Sequence, residues 1–186
     1  MRWLTATAAL VIVCAAGPAR IGAASDHFAA LAVSLTGANG GQTARIDIGI
    51  DEWSTEADRD RFALVGERDG MAAVVTALQD ARRIGYLRVG TQLGNEITFA
   101  RETPEPDGGR HILIVLARML GAAELRWGSL TDDYPFTVVD VHLRGGSGAG
   151  RITVGAKVTF RRGEDGIHVD PFSAAYIALR DLRATP

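Results

Sequence analysis

Cysteine occurs once in the 186 residues, as Cys14, and it falls inside an apolar N-terminal stretch. A chain cut behind that stretch carries no thiol, which excludes a disulfide framework and a thiolate metal site. Excess charge is also missing. Twenty Lys and Arg stand against 22 Asp and Glu, for a net charge of -2, with the two signs mixed along the chain. Neither a basic nucleic-acid stripe nor an acidic tail is present, so no nucleic-acid partner is expected. No internal repeat and no low-complexity linker divides the sequence. With 47% hydrophobic residues the length suits one sizeable core and is short for two domains.

The start of the chain has its own pattern. Arg2 precedes an almost unbroken apolar run from Trp3 to Ala16, followed by Gly17-Pro18 and the small residues Gly22-Ala23-Ala24. This is the order of a secretory signal, and the run is short for a bilayer span. The expected organisation is a signal peptide over residues 1–24 and a single β-rich domain over 25–186, exported to the periplasm or beyond, with no transmembrane segment in the mature chain. Lipidation at Cys14 is the weaker alternative, because the bulky Val13 stands where a small residue is expected. Loss of Arg2 and Arg20 with the signal leaves 18 basic residues against 22 acidic, a mature charge of -4.

Behind the signal, alternation dominates. Period-two patterns run over His27 to Gly37 and Thr43 to Asp51, joined by Asn39-Gly40-Gly41 as a hairpin with Ile46, Ile48 and Ile50 inward. Thr55 with Asp58 three residues on has the form of a capping box, predicting a helix to about Val65 with Phe62 inward. A second helix is expected after Asp69 as its cap, with Met71, Val74, Val75 and Leu78 on one face. Further strands are expected over Ile84 to Val89, Glu96 to Arg101, His111 to Ala117, Tyr134 to Arg144, Arg151 to Arg161, Ile167 to Val169 and Ala175 to Arg183. The segment His111 to Ala117 is apolar on both faces, so it is expected to be central or covered by the helices. Arg118 to Asp133 reads as a short helix or an irregular lid. The sum is a mainly β (α+β) fold: a single antiparallel sheet system of about eight or nine strands, barrel or sandwich, with two short helices after the second strand.

Few groups promise chemistry. The run Gly145 to Gly150 is followed by a strand rather than a helix and contains no lysine, so it reads as a hairpin loop and not a phosphate cradle. Of the four histidines, His168 has Asp170 two residues on along one extended segment, and this fits a solvated strand face. His142, flanked by Asp140 and Arg144, fits an ordinary polar sheet exterior. No cofactor and no metal is expected. Neither Ser54 nor Ser129 sits in a glycine-flanked nucleophile elbow, and Ser54 is better explained by the helix start. Two places crowd carboxylates against aromatic residues: Asp51-Glu52-Trp53 and Asp132-Asp133-Tyr134-Pro135-Phe136. If they approach each other they would border a pocket mouth.

Trp53-Ser54-Thr55 with Arg59-Asp60, then Gly85-Tyr86-Leu87-Arg88, Phe99-Ala100-Arg101 with Pro104-x-Pro106-Asp107-Gly108-Gly109-Arg110, and Asp133-Tyr134-Pro135-Phe136-Thr137 together resemble a group of uncharacterised exported bacterial proteins. Residues Arg118 to Leu130 depart from that pattern. The resemblance implies bacterial origin and export and brings no activity with it. Combined with the aromatic and carboxylate clusters, it nominates Asp51, Trp53, Arg88, Arg101 and Tyr134 as ligand-binding residues. No catalytic residue is nominated. The best reading is a non-enzymatic extracytoplasmic binding module for a small or apolar ligand. The alternatives are a cell-envelope structural or protein-interaction domain, and a hydrolase-like enzyme using Asp51, Glu52, Asp133 and a histidine.

Overall fold

A computed structural model describes residues 25–34, 43–118, 133–163, 166–172 and 176–185. The expected signal with Cys14, the turn Asn39-Gly40-Gly41 and residues 119–132 lie outside the described residues. The elements run β1 (Asp26–Ser34), β2 (Thr43–Ile50), α1 (Glu56–Asp69), α2 (Met71–Gln79), β3 (Gly85–Val89), β4 (Asn95–Ile97), β5 (Phe99–Pro104), β6 (Arg110–Leu116), β7 (Phe136–Arg144), β8 (Ser147–Phe160), β9 (Ile167–Pro171) and β10 (Ile177–Thr185). The mainly β fold with two helices after β2 is therefore present, with ten strands among the described residues where eight or nine were expected.

All ten strands belong to one antiparallel sheet in the order β4-β3-β2-β1-β10-β8-β7-β6-β5, with β9 added to β8. The two strands at the ends of this order, β4 and β5, are consecutive in the chain and separated only by Thr98, and β4 lies against β6. The sheet thus curls until its edges meet, and it is a nearly closed barrel rather than a sandwich. The single strand expected over Glu96 to Arg101 is two strands because the chain passes there from one edge of the sheet to the other.

The period of two sorts the side chains into two cores. Inside the barrel lie Phe28, Ala30, Ala32, Ile46, Ile48, Ile50, Leu87, Ile97, Ile112, Ile114, Leu116, Val139, Val141, Ile152 and Leu179. Outside, α1 and α2 cover Phe99, Val115, Phe136, Val138, Ala156, Val158 and Phe160 with Phe62, Ala63, Val74 and Leu78. Strand β6 contributes to both cores, which is why it reads as apolar on both faces. Phe62, Phe99 and Phe160 meet with ring centroids 5.0 to 5.9 Å apart. Such aromatic pairs add about 0.5–1.5 kcal/mol each beyond their buried area.

Strand β8 serves both cores through one residue. Gly155 has φ +75, and the β7–β8 register slips there, so that Thr137 faces Val154 while Phe136 faces Ala156. A bulge of this kind inserts one residue and inverts the faces beyond it. Ile152 consequently points into the barrel, whereas Ala156, Val158 and Phe160 point toward the helices.

Two expectations are corrected. Asp69 does not cap α2: it is the last residue of α1 and pairs with Arg68, and Gly70 at φ +82 takes the cap position without a side-chain bond. The loop expected over Gly145 to Gly150 is only the two-residue turn Gly145-Gly146, and β8 begins at Ser147. Gly148 and Gly150 are strand residues whose added Cβ would run into the carbonyls of His142 and Asp140, so they let β8 approach β7 closely.

Candidate functional site

The five nominated residues have separate partners. Asp51 is exposed in the bend after β2. The Trp53 ring packs on the end of the barrel core, and its indole nitrogen donates to Asp26 at 3.1 Å. Arg88 lies on the outer face of β3, 3.5 Å from Asp47. Arg101 pairs with Glu56 at 3.4 Å, and Tyr134 stacks edge-on against Phe172, with centroids 5.2 Å apart. Among the described residues, no two of the five pair, bond or stack with each other.

Trp53 nevertheless belongs to a polar seal. Arg110, on the inward side of β6, donates twice to Glu102 at 2.8 Å and once to Asp26 at 3.2 Å. Asp26 thus joins Trp53 to Arg110, and the guanidinium lies 5.9 Å from the Phe28 ring. The carboxylate that Trp53 bonds is therefore Asp26 rather than its neighbours Asp51 and Glu52. Glu52 instead pairs with Arg82. Behind the seal, the barrel interior is occupied by side chains that are less than 2% exposed, among them Ile46, Leu87, Ile97, Ile112 and Ile152. The set proposed for hydrolysis is divided: Asp51 and Glu52 follow β2 at the sealed end, and Asp133 precedes β7 at the opposite end, as the strand registers require.

Among the described residues, the most concentrated group of potential ligand atoms is on the outer wall of β6, β7 and β8. His111 and His142 are paired across β6 and β7, and Asp140 faces Arg151 across β7 and β8. Residues 140 and 142 share a face because they are two apart on one strand. The imidazoles lie nearly parallel, 10° between planes and 4.6 Å between centroids. His111 Nε2 is 2.8 Å from Asp140 Oδ1, and His142 Nε2 is 3.4 Å from the same oxygen. Arg151 donates to the other oxygen, Oδ2, at 2.8 and 3.1 Å.

A fifth side chain comes from the turn between β5 and β6. Glu105 Oε1 is 2.7 Å from His142 Nδ1. The turn is built to present it: Glu105 N–H donates to the Gly109 carbonyl, Gly108 has φ +81, and Asp107 Oδ1 accepts from the Gly109 amide at 2.9 Å. A Cβ on Gly109 would sit 2.8 Å from Glu105 Oε2 and 3.0 Å from the Leu143 carbonyl. The Pro104-x-Pro106-Asp107-Gly108-Gly109 motif is therefore what places Glu105 beside β7.

The electrostatics follow from these contacts. The hydrogen bond to Asp140 raises the pKa of His111 despite its partial burial. The same bond, with Arg151, holds the Asp140 carboxyl below the usual carboxylate range. Because Glu105 accepts the proton on His142 Nδ1, a neutral His142 turns the lone pair of Nε2 toward Asp140. Two Nε2 atoms and one carboxylate oxygen thus converge, an arrangement favourable only with a proton or another cation among them.

The sequence indicated part of this group. Asp140, His142 and Arg144 alternate visibly on one face, but His111 and Glu105 are 31 and 37 residues from His142, and only the strand register and the turn bring them in. No protein-family model, no curated protein and no solved structure matches the chain.

Proposed function

We propose that the protein is a non-enzymatic binding module acting outside the cytoplasm, and that it takes a small cationic ligand on the outer wall of its barrel. The observation that carries this is the convergence of Glu105, His111, Asp140 and His142 on one half-exposed spot. Those groups offer negative charge and lone pairs, the complement of a cation. Apolar side chains occupy the barrel interior, which supports a ligand on the polar wall rather than in an apolar cavity. Export rests on the Arg2, Trp3 to Ala16 and Gly22-Ala23-Ala24 order at the N-terminus.

The test is a titration of the protein with a panel of small cations, namely zinc, calcium, magnesium, ammonium and a short diamine. The ring resonances of His27, His111, His142 and His168 are followed throughout. Saturable movement of His111 and His142 with any member, while His27 and His168 stay in place, is the expected result. Absence of movement with every member would overturn the reading.

A further inference from the structure

The geometry points to a divalent transition-metal site of the zinc class, with His111 Nε2, His142 Nε2 and Asp140 Oδ1 as its protein ligands. This inference rests on the outer-wall reading above and names the ligand of that site. One potential ligand atom from each of the three residues lies within 4.8 Å of the others. Tetrahedral zinc binds nitrogen and oxygen at roughly 2.0–2.2 Å, which places neighbouring ligands about 3.3–3.5 Å apart. The His142 Nε2 to Asp140 Oδ1 distance, 3.4 Å, already has that value, and the His111 Nε2 to Asp140 Oδ1 distance, 2.8 Å, must open by about half an ångström to reach it.

The surroundings resemble the outer shell of a metal site rather than a fortuitous cluster. A ligating histidine characteristically donates its second N–H to a carboxylate, which fixes the tautomer and the ring, and a ligating carboxylate is itself held by a hydrogen bond. Glu105 does the first for His142, and Arg151 does the second for Asp140 at Oδ2, leaving Oδ1 to face the histidines. Two imidazoles with an acidic oxygen favour zinc, nickel or copper over calcium and magnesium, which prefer all-oxygen sets. Three protein ligands leave the fourth position for water or an exogenous group.

Binding exchanges cations at a fixed place. The proton that His111 Nε2 donates to Asp140 passes to solvent from an imidazolium, or is exchanged through water for one on Nδ1 of a neutral ring, and the metal takes the lone pairs of both Nε2 atoms and of Oδ1. A metal lies in the plane of the imidazole that binds it, so the two rings must tilt out of their 10° stack. Their χ2 torsions are soft enough to allow this.

The experiment uses the tag-free protein after treatment with a chelator. Zinc affinity and stoichiometry are measured by competition with a chromogenic chelator, and the histidine ring signals are recorded in parallel. One zinc per chain is expected, with His111 and His142 both shifted. His111→Ala and His142→Ala should each weaken binding more than Glu105→Gln, for which a loss of roughly 10- to 100-fold is expected. His168→Ala, on β9, should leave it unchanged. Circular dichroism establishes that each variant is folded. Zinc binding unchanged in a folded His111→Ala, His142→Ala double variant overturns the assignment, as does loss of binding in His168→Ala. Failure of zinc, nickel and copper to bind while calcium or an organic cation moves the two rings overturns the metal class and leaves the outer-wall reading standing. If no cation moves the rings, both are overturned.

Discussion

Arg110 is one third exposed and holds two carboxylates, Glu102 and Asp26, that would otherwise face each other across one end of the barrel. Trp53 completes the seal through its bond to Asp26. Removing one member of a partly buried charge group leaves the others uncompensated, which costs more than the group contributes when intact. Arg110→Met should therefore lower stability by about 1–3 kcal/mol in urea denaturation, less than a fully buried pair because solvent still reaches the site. Adding Asp26→Asn and Glu102→Gln to that variant should recover part of the loss. A triple variant no more stable than Arg110→Met would assign the seal to packing of the arginine stem rather than to charge. The carboxylate that Trp53 bonds, Asp26, is 27 residues away in sequence. Of the acidic neighbours of Trp53 in sequence, Asp51 is exposed and Glu52 pairs with Arg82.

The first helix was the most legible element because its signals are local. Thr55 accepts from the Asp58 amide while Asp58 accepts from the Thr55 amide and hydroxyl, so the capping box is complete. Thr55→Ala should cost about 1 kcal/mol, measured as a shift of the denaturation midpoint. The hydrogen bonds from Thr55 are the main cause of a lowered pKa at Asp58. A carboxyl that titrates lower when folded contributes fully above its unfolded pKa, and loses that contribution as pH falls through the folded value. The stability difference between the wild type and Asp58→Asn should thus be constant from neutral pH down to about pH 4–5 and shrink below it. A difference that grew toward pH 2 would contradict the cap. Strand β8 shows the opposite case. Its even-numbered residues Ile152 to Phe160 alternate without interruption in sequence, yet the bulge at Gly155 divides them between two cores. A glycine in a strand is compatible with a bulge but does not locate one, because the slip is defined only against β7.

At the scale of the molecule, the barrel depends on a seam where β4 runs through Thr98 into β5. Ser54 reinforces it from outside the sheet: its amide donates to the Ala100 carbonyl at 2.7 Å, and its hydroxyl accepts from the Ala100 amide at 3.1 Å. Its sequence-based assignment to the helix start was therefore incomplete. Ser54→Ala would leave the amide of a fully buried residue without its acceptor, a cost of about 1–3 kcal/mol. Hydrogen exchange should show faster opening at β5 than at β1 or β7. Uniform acceleration over all strands would mean that the seam is not a separate weak point. The sequence by itself determined the mainly β class, the two helices and the capping box of the first, the inward isoleucines of β2 and the double burial of β6, because each follows from periodicity or hydrogen bonds within a few residues. The tertiary structure decided barrel over sandwich, since closure depends on which edges meet and short-range alternation is the same in both. It also decided the site. Nothing local marks His111 at the head of an apolar strand or Glu105 in a proline-rich turn, and they become partners of Asp140 and His142 only when cross-strand register sets side chains from distant parts of the chain next to one another.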